Sequence, residues 1–160
     1  MDEERLEQPG GNRWEDVIEQ QAAMAEDYRG AGWTVVELHP GDVAIREPAD
    51  HDRFGFDVVV PGDEFEALRE LVEGGVDFDG YELLGEVESS MAVVLVVLES
   101  TGDEAAVLYP IYFAQRSVAA VREAALESGA LHSVIRPLDR RAEIAFTHEE
   151  PALFFGEESA

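Results

Sequence analysis

Eight consecutive apolar residues, Met91 to Leu98, interrupt a chain that is otherwise rich in carboxylates. The segment reads MAVVLVVL and is too short to cross a membrane, which takes about 20 residues as a helix. Its β-branched content favours a strand, and an uninterrupted apolar run is typical of a strand that is buried on both faces. The sequence therefore predicts a central strand, with helices on one face of its sheet and either more sheet or another subunit on the other.

Apolar residues at helical spacing predict three helices around this strand. The first is expected over about 13–29 and ends at a pair of glycines. The second corresponds to GDEFEALRELVEGG, with Asp63 and Glu66 at its cap, and the third runs from Ser117 to Gly129.

Strand candidates fill the rest of the chain. Two of them flank a predicted turn at Pro40 and Gly41, and three form a meander over 81–113. The resulting order is αβββ-αβββ-αββ. We predict one α+β domain, with a mainly antiparallel sheet and about three helices packed on one face. Its predicted limits are 12–156, after a flexible acidic segment at 1–11 and before a tail at 157–160.

The charge of the chain indicates its environment. The formal net charge is -25, and all 11 basic residues are arginine, so the chain contains no lysine. Such a surface repels itself at ordinary salt, whereas molar salt shortens the screening length to about 3 Å. This composition resembles that of proteins from halophilic archaea, and most of the charge is then expected to serve solubility.

Several classes of function are excluded or disfavoured by composition. The absence of cysteine removes thiolate chemistry and sulfur-ligated metals, and the absence of lysine removes Schiff-base chemistry and the phosphate-loop lysine. The first eleven residues, MDEERLEQPGG, are acidic where a secretory leader is basic, so we expect a cytoplasmic protein. We expect no membrane or nucleic-acid partner, since the negative field opposes phosphate approach.

No catalytic residue, metal site or cofactor is predicted. Paired carboxylates are expected by chance among 36 acidic residues, and no two of the four histidines stand at the i, i+4 spacing of a helical metal pair. The segment from Asp77 to Glu88 resembles a calcium loop only in part, because Glu82 occupies the position that needs glycine. It is interpreted as a turn followed by a strand.

One region departs from the acidic background. Residues 116–141 contain five arginines and three acids, a local charge of +2. A hairpin that places Arg136 opposite Arg141 would need an acid or an anion against the two like charges. The candidate anion-binding or partner-binding residues are Arg116, His132, Arg136, Arg140 and Arg141. Pairing with carboxylates of the same chain, a subunit or partner interface, and a small-anion site all remain open here.

The C-terminal segment EEPALFFGEESA combines aromatic residues with acids. A docking peptide for a partner is one interpretation. Leu153 directly precedes Phe154 and Phe155, without the two-residue separation of a sliding-clamp ligand, and docking onto the core of its own domain is the favoured alternative.

The segments GWTVVELHPGDV, FGFDVVVPGDEFE and AVLYPIYF resemble a group of small acidic haloarchaeal proteins of unknown function. The resemblance covers most of the chain and implies no residue role. Two classes of function therefore stay open: a non-catalytic, self-associating binding or interaction module, and a small enzyme or anion-binding protein that uses the arginine hairpin. Converging polar groups in the largest concavity would favour a small ligand, and a flat apolar patch would favour a partner.

Overall fold

The computed structural model describes residues 12–87 and 91–155 of the chain. Within these residues the helices are α1 (Asn12–Gly30), α2 (Gly62–Glu73), α3 (Ala119–Ser128) and two short 3-10 helices, Gln115–Val118 and Pro151–Phe155. The predicted flexible segment at 1–11 and the predicted tail at 157–160 lie outside the described residues. No helix in the described ranges is long and apolar enough to cross a membrane.

The strands follow the predicted order of elements, αβββ-αβββ-αββ, in the described part of the chain. They are β1 (Thr34–Glu37), β2 (Asp42–Arg46), β3 (Gly55–Val59), β4 (Gly80–Val87), β5 (Met91–Ser100), β6 (Ala105–Ala114), β7 (Leu131–Arg136) and β8 (Ile144–His148). The α+β prediction is confirmed.

The strands are divided between two four-stranded sheets. The first sheet has the order β1-β6-β5-β4 and the second has the order β2-β3-β7-β8. Pairing is antiparallel except for β1 with β6 and β3 with β7. The turn at Pro40 and Gly41 does not close a hairpin, because it carries the chain from the first sheet to the second.

The first sheet lies between α1 and the second sheet. On one face, Trp14 of α1 meets Tyr112 of β6 edge to face, with ring centroids 5.3 Å apart. On the other face, Phe113 of β6 lies 5.3 Å from Phe56 of β3. Residues 92–98 of β5 are buried on both faces as a result, which confirms the prediction from the apolar segment.

Glycine is required where β3 approaches β7. Gly55 has a φ of 142°, and a Cβ placed there would lie 2.0 Å from the carbonyl oxygen of His132. Only glycine avoids this clash while adopting a positive φ without strain. This close approach lies in the parallel pairing of β3 with β7, where Gly55 is opposite His132.

Helix α2 begins without a side-chain cap. Its N-cap is Pro61, and no side chain bonds to the free N–H groups of the first turn. The predicted cap at Asp63 and Glu66 is therefore wrong. Both residues lie inside the helix, where Asp63 still interacts favourably with the positive end of the helix dipole.

The C-terminal aromatic residues pack onto the domain, as the favoured interpretation predicted. Phe154 and Phe155 are buried in the 3-10 helix Pro151–Phe155. Their ring centroids lie 5.8 Å from Phe56 and 6.0 Å from Phe113, respectively. The segment closes one side of the interior between the two sheets.

Candidate functional site

A cleft opens between the edge strand of each sheet. One wall contains β4 of the first sheet and the residues that precede it, and the other contains β8 of the second sheet and the residues that follow it. Val72 and Val76, at the end of α2 and beyond it, border the cleft as well. The volume of this edge cleft is about 640 Å³. Small-molecule sites in proteins span about 300–1,000 Å³, so the edge cleft has the size of such a site.

His148 lines the edge cleft and is almost completely buried. Its exposed fraction is 1%, and its Nε2 lies 2.9 Å from the hydroxyl oxygen of Ser133. Its Nδ1 has no hydrogen-bond partner among the described residues. Burial, with a smaller contribution from nearby His132, lowers the pKa of His148 from 6.5 to about 3. The imidazole is therefore neutral at physiological pH.

A short polar chain lies behind His148, between the sheets. Ser133 contacts His148 on one side, and the hydroxyl of Tyr109 lies close to Ser133 on the other. Tyr109 is fully buried, which raises the pKa of its phenol, while the nearby Ser133 hydroxyl lowers that pKa by a smaller amount.

Aromatic side chains form the walls of the edge cleft. The ring of Tyr81 lies 5.2 Å from the imidazole of His148, and the rings of Phe78 and Phe146 meet edge to face at 5.7 Å. The backbone N–H of Glu150 donates a hydrogen bond of 2.9 Å to the hydroxyl oxygen of Tyr81. This bond joins the two walls, because Tyr81 belongs to β4 and Glu150 follows β8.

The ionised groups that line the edge cleft are carboxylates. Asp77 and Asp79 precede β4, and Glu149 and Glu150 follow β8. Hydrogen bonds from the hydroxyl and the N–H of Thr101 lower the pKa of Asp79. Thr101 thus holds Asp79 beside the turn after β5. The strand predicted in this segment is present as β4, the turn before it lies at residues 74 and 75, and Glu88 lies outside the described residues. No group of three or more potential metal ligands occurs among the described residues.

The arrangement of Ser133 and His148 does not amount to a nucleophilic site in this conformation. Ser133 has an exposed fraction of 0% and, unlike His148, does not line the edge cleft. The Nδ1 of His148 also lacks the carboxylate that orients and stabilises the base in serine hydrolases. What the geometry provides is a neutral hydrogen-bonding group in an aromatic, carboxylate-lined cleft.

Acidification is expected to destabilise the protein through His148. The unfolded chain binds a proton at the ordinary pKa of 6.5, whereas the folded chain does so only at about 3. The stability contributed by the neutral imidazole is therefore complete above about pH 6.5 and is lost as the pH falls toward 3. Between pH 7 and pH 5 we expect a loss of about 2 kcal/mol, or about 4–8 °C in melting temperature.

Thermal melts at both pH values, with salt held constant, measure this loss. His148→Gln is the control, because glutamine keeps an amide N–H near Ser133 but does not titrate in this range. The pH dependence should disappear in this variant. An equal loss of melting temperature in the variant and the original chain would rule out His148 as its source.

The structure places Arg136 and Arg141 against carboxylates of the same chain. The Nε and Nη2 of Arg136 donate to Asp57 over 3.0–3.2 Å, and Arg46 approaches the same carboxylate at 3.7 Å. Arg141 donates to Glu66 at 2.8 Å and to Asp139 at 2.9 Å. Internal pairing is therefore present at both arginines.

The predicted pairing of Arg136 with Arg141 is wrong. The register of β7 and β8 places Ile135 opposite Ile144, so Arg141 lies in the connecting loop and points to α2. The error arises because alternation specifies a face but leaves the register free to shift by two residues.

The other three candidates lie on separate elements. Arg116 is exposed in the 3-10 helix before α3, and Arg140 is exposed in the loop between β7 and β8 with a φ of 59°. The Nδ1 of His132 lies 3.2 Å from the carbonyl oxygen of Phe54. None of the five candidates lines the edge cleft. Their role in binding an anion or a partner stays a prediction.

The sequence analysis did not identify the residues of the edge cleft as a site. One available signal was the alternation in β8, which places His148 on the same face as Ile144 and Phe146 and so predicts a buried histidine. The partners of His148 come from distant parts of the chain and carry no shared motif.

A protein family described as a family of unknown function (DUF7529) matches residues 3–156. No curated protein and no solved structure matches the chain. The comparisons therefore supply no residue role.

Proposed function

Because the chain belongs to this family of unknown function, DUF7529, we propose its function from its geometry alone: it is a non-catalytic binding protein whose small-molecule ligand occupies the edge cleft. The observation that supports this most directly is the Nδ1 of His148, which is buried without a described partner in a cleft of about 640 Å³. Leaving such a group unpaired costs about 1–3 kcal/mol, and a ligand that pairs with it recovers this free energy.

The shape and chemistry of the edge cleft support a ligand over a flat protein interface. Aromatic rings from Phe78, Tyr81 and Phe146 supply apolar contact area, while His148 supplies a directional contact at one place. A mainly apolar pocket with a few converging polar groups is the usual composition of a small-molecule site.

Binding without catalysis is supported by the state of the polar groups. A general base is most effective when its pKa lies near the pH at which the protein works, and burial lowers the pKa of His148 to about 3. Ser133 is buried, and the carboxylates at the mouth of the cleft are not paired with His148. His148 and the carboxylates that line the cleft can still select and orient a ligand.

Val72→Arg is expected to abolish binding in the edge cleft. Val72 is 37% exposed and borders the cleft, so arginine adds bulk and charge there at little cost in stability. Leu126→Arg is the matched control. Leu126 is 40% exposed on α3, outside the cleft, and its replacement by arginine changes the net charge by the same amount.

Saturation-transfer NMR with a library of fragment molecules, recorded in molar salt, measures the difference. We expect the library to contain fragments that bind the original chain and the Leu126→Arg variant equally. The saturation-transfer signals of these fragments should fall at least about fivefold with the Val72→Arg variant. Fragments that respond identically to both variants, or a library without any binder, would refute the proposed function. Thermal melts of both variants verify that each is folded.

A further inference from the structure

The lining of the edge cleft identifies the charge of its ligand. We infer that the edge cleft selects an organic cation carrying a hydrogen-bonding group, an inference that rests on the proposed function. Three independent features support it: the sign of the lining charges, the aromatic walls, and the neutral His148 with its unpartnered Nδ1.

The lining charges all have one sign. Asp77, Asp79, Glu149 and Glu150 line the edge cleft, and no arginine of the described chain does. Burial raises the pKa of the Tyr81 phenol and the hydrogen bond from the Glu150 N–H lowers it, while the carboxylates of Glu150 and Glu149 raise it by smaller amounts, so their field reaches the wall of the cleft. A cation is attracted into such a site and an anion is repelled.

Carboxylates are frequent in this chain, so their presence alone does not define a ligand. The aromatic walls are a second, independent feature. Phe78, Tyr81 and Phe146 line the cleft, and the faces of Phe and Tyr rings attract cations that shed their water easily. Organic ammonium groups meet this condition, whereas metal ions need converging oxygen or nitrogen ligands. No cluster of three such ligands occurs in the described residues, which favours an organic cation over a metal.

His148 adds a directional contact and does not repel a positively charged ligand. It carries no charge at physiological pH because burial lowers its pKa to about 3. Its Nδ1 is a donor in one tautomer and an acceptor in the other, depending on the proton between Nε2 and Ser133. A hydroxyl group on the cation can pair with either form. The class of ligand is therefore an organic ammonium ion with a hydroxyl or similar group nearby.

Choline and 3,3-dimethylbutan-1-ol test this inference, since they share a shape and a hydroxyl and differ only in charge. NMR titrations of both probes are followed at resonances of Tyr81, Phe146 and His148, at the lowest salt that preserves the near-ultraviolet circular dichroism of the protein. We expect choline to bind at least about tenfold more tightly than the neutral alcohol.

Three substitutions at Val72 vary the charge at the edge cleft. Val72→Glu, Val72→Gln and Val72→Arg have side chains of related length at an exposed position. The ratio of the choline affinity to the alcohol affinity should fall in that order, by about threefold or more at each step, because the bulk of the new side chain affects both probes and its charge affects only choline. Leu126→Glu, outside the cleft, should leave both affinities unchanged.

The outcomes separate this inference from the proposed function. Equal affinities for choline and the alcohol, or a choline affinity that is independent of charge at Val72, would overturn the inference and leave small-molecule binding intact. If neither choline nor the alcohol binds, although fragments bind in the edge cleft, the inference is overturned and small-molecule binding again stays intact. If no fragment depends on the edge cleft, the proposed function itself fails.

Discussion

Replacing Leu95 or Val94 with aspartate is expected to unfold the protein. Leu95 is 0% exposed and Val94 is 3% exposed, in the middle of β5. Leu95 lies on the same face as Glu99, which bonds to Tyr28 of α1, and Val94 lies on the opposite face with Leu98, which lines the edge cleft. Each aspartate would place a carboxylate in a different apolar layer, on either side of the first sheet.

The expected cost of each substitution is comparable with the whole free energy of unfolding of a domain. A buried charge without a partner destabilises a protein by about 4 kcal/mol or more, and domains are stable by only about 5–15 kcal/mol. We expect each variant to lose the near-ultraviolet circular dichroism signal and the cooperative melting transition.

Leu95→Met is the matched control for this prediction. Methionine conserves the volume and polarity of the side chain and should cost about 1.5 kcal/mol or less. Near-native melting of both aspartate variants would contradict the layer order described above, because one face of β5 would then have to be solvated.

Transfer from molar salt to about 0.1 M salt is expected to expand or unfold the protein. The chain has 36 acidic residues and 11 arginines, so most carboxylates lack a basic partner at any arrangement of the fold. Their mutual repulsion is screened within about 3 Å in molar salt but extends over about 10 Å at 0.1 M. The compact state suffers most from this repulsion because it holds the charges closest together.

Circular dichroism and small-angle scattering across a salt series measure this effect. The melting temperature should rise and the radius of gyration should fall as sodium chloride is added. Sucrose at matched osmolality is the control, since it stabilises compact states without screening charge. A melting temperature and a radius that stay constant over the salt range would refute the halophilic interpretation.

Local pattern determined the secondary structure of this protein. Periodicity alone placed α1, the meander of β4, β5 and β6, and the two-sided burial of β5, because each depends on the spacing of apolar side chains within one segment. The docking of Phe154 and Phe155 was also predictable, since adjacent aromatic rings are strongly driven from water.

Tertiary structure alone decided how these elements combine. The division of strands between two sheets, the crossover at Pro40 and Gly41, and the register of β7 with β8 depend on pairings that many segments of similar pattern could satisfy locally. The pairing of Arg136 with Asp57 spans 79 positions, and no sequence rule selects that carboxylate among 36.

The edge cleft is likewise a feature that only the tertiary structure decided. Its walls are joined by Tyr81 and Glu150, which are 69 positions apart and lie in different layers of the fold. The sequence by itself determined that His148 would face inward, because alternation in β8 requires it. Only the packing of the two sheets decided that Tyr81 and Phe146 would surround a cleft there, since the free energy that sets this geometry comes from burying the whole core and not from any local segment.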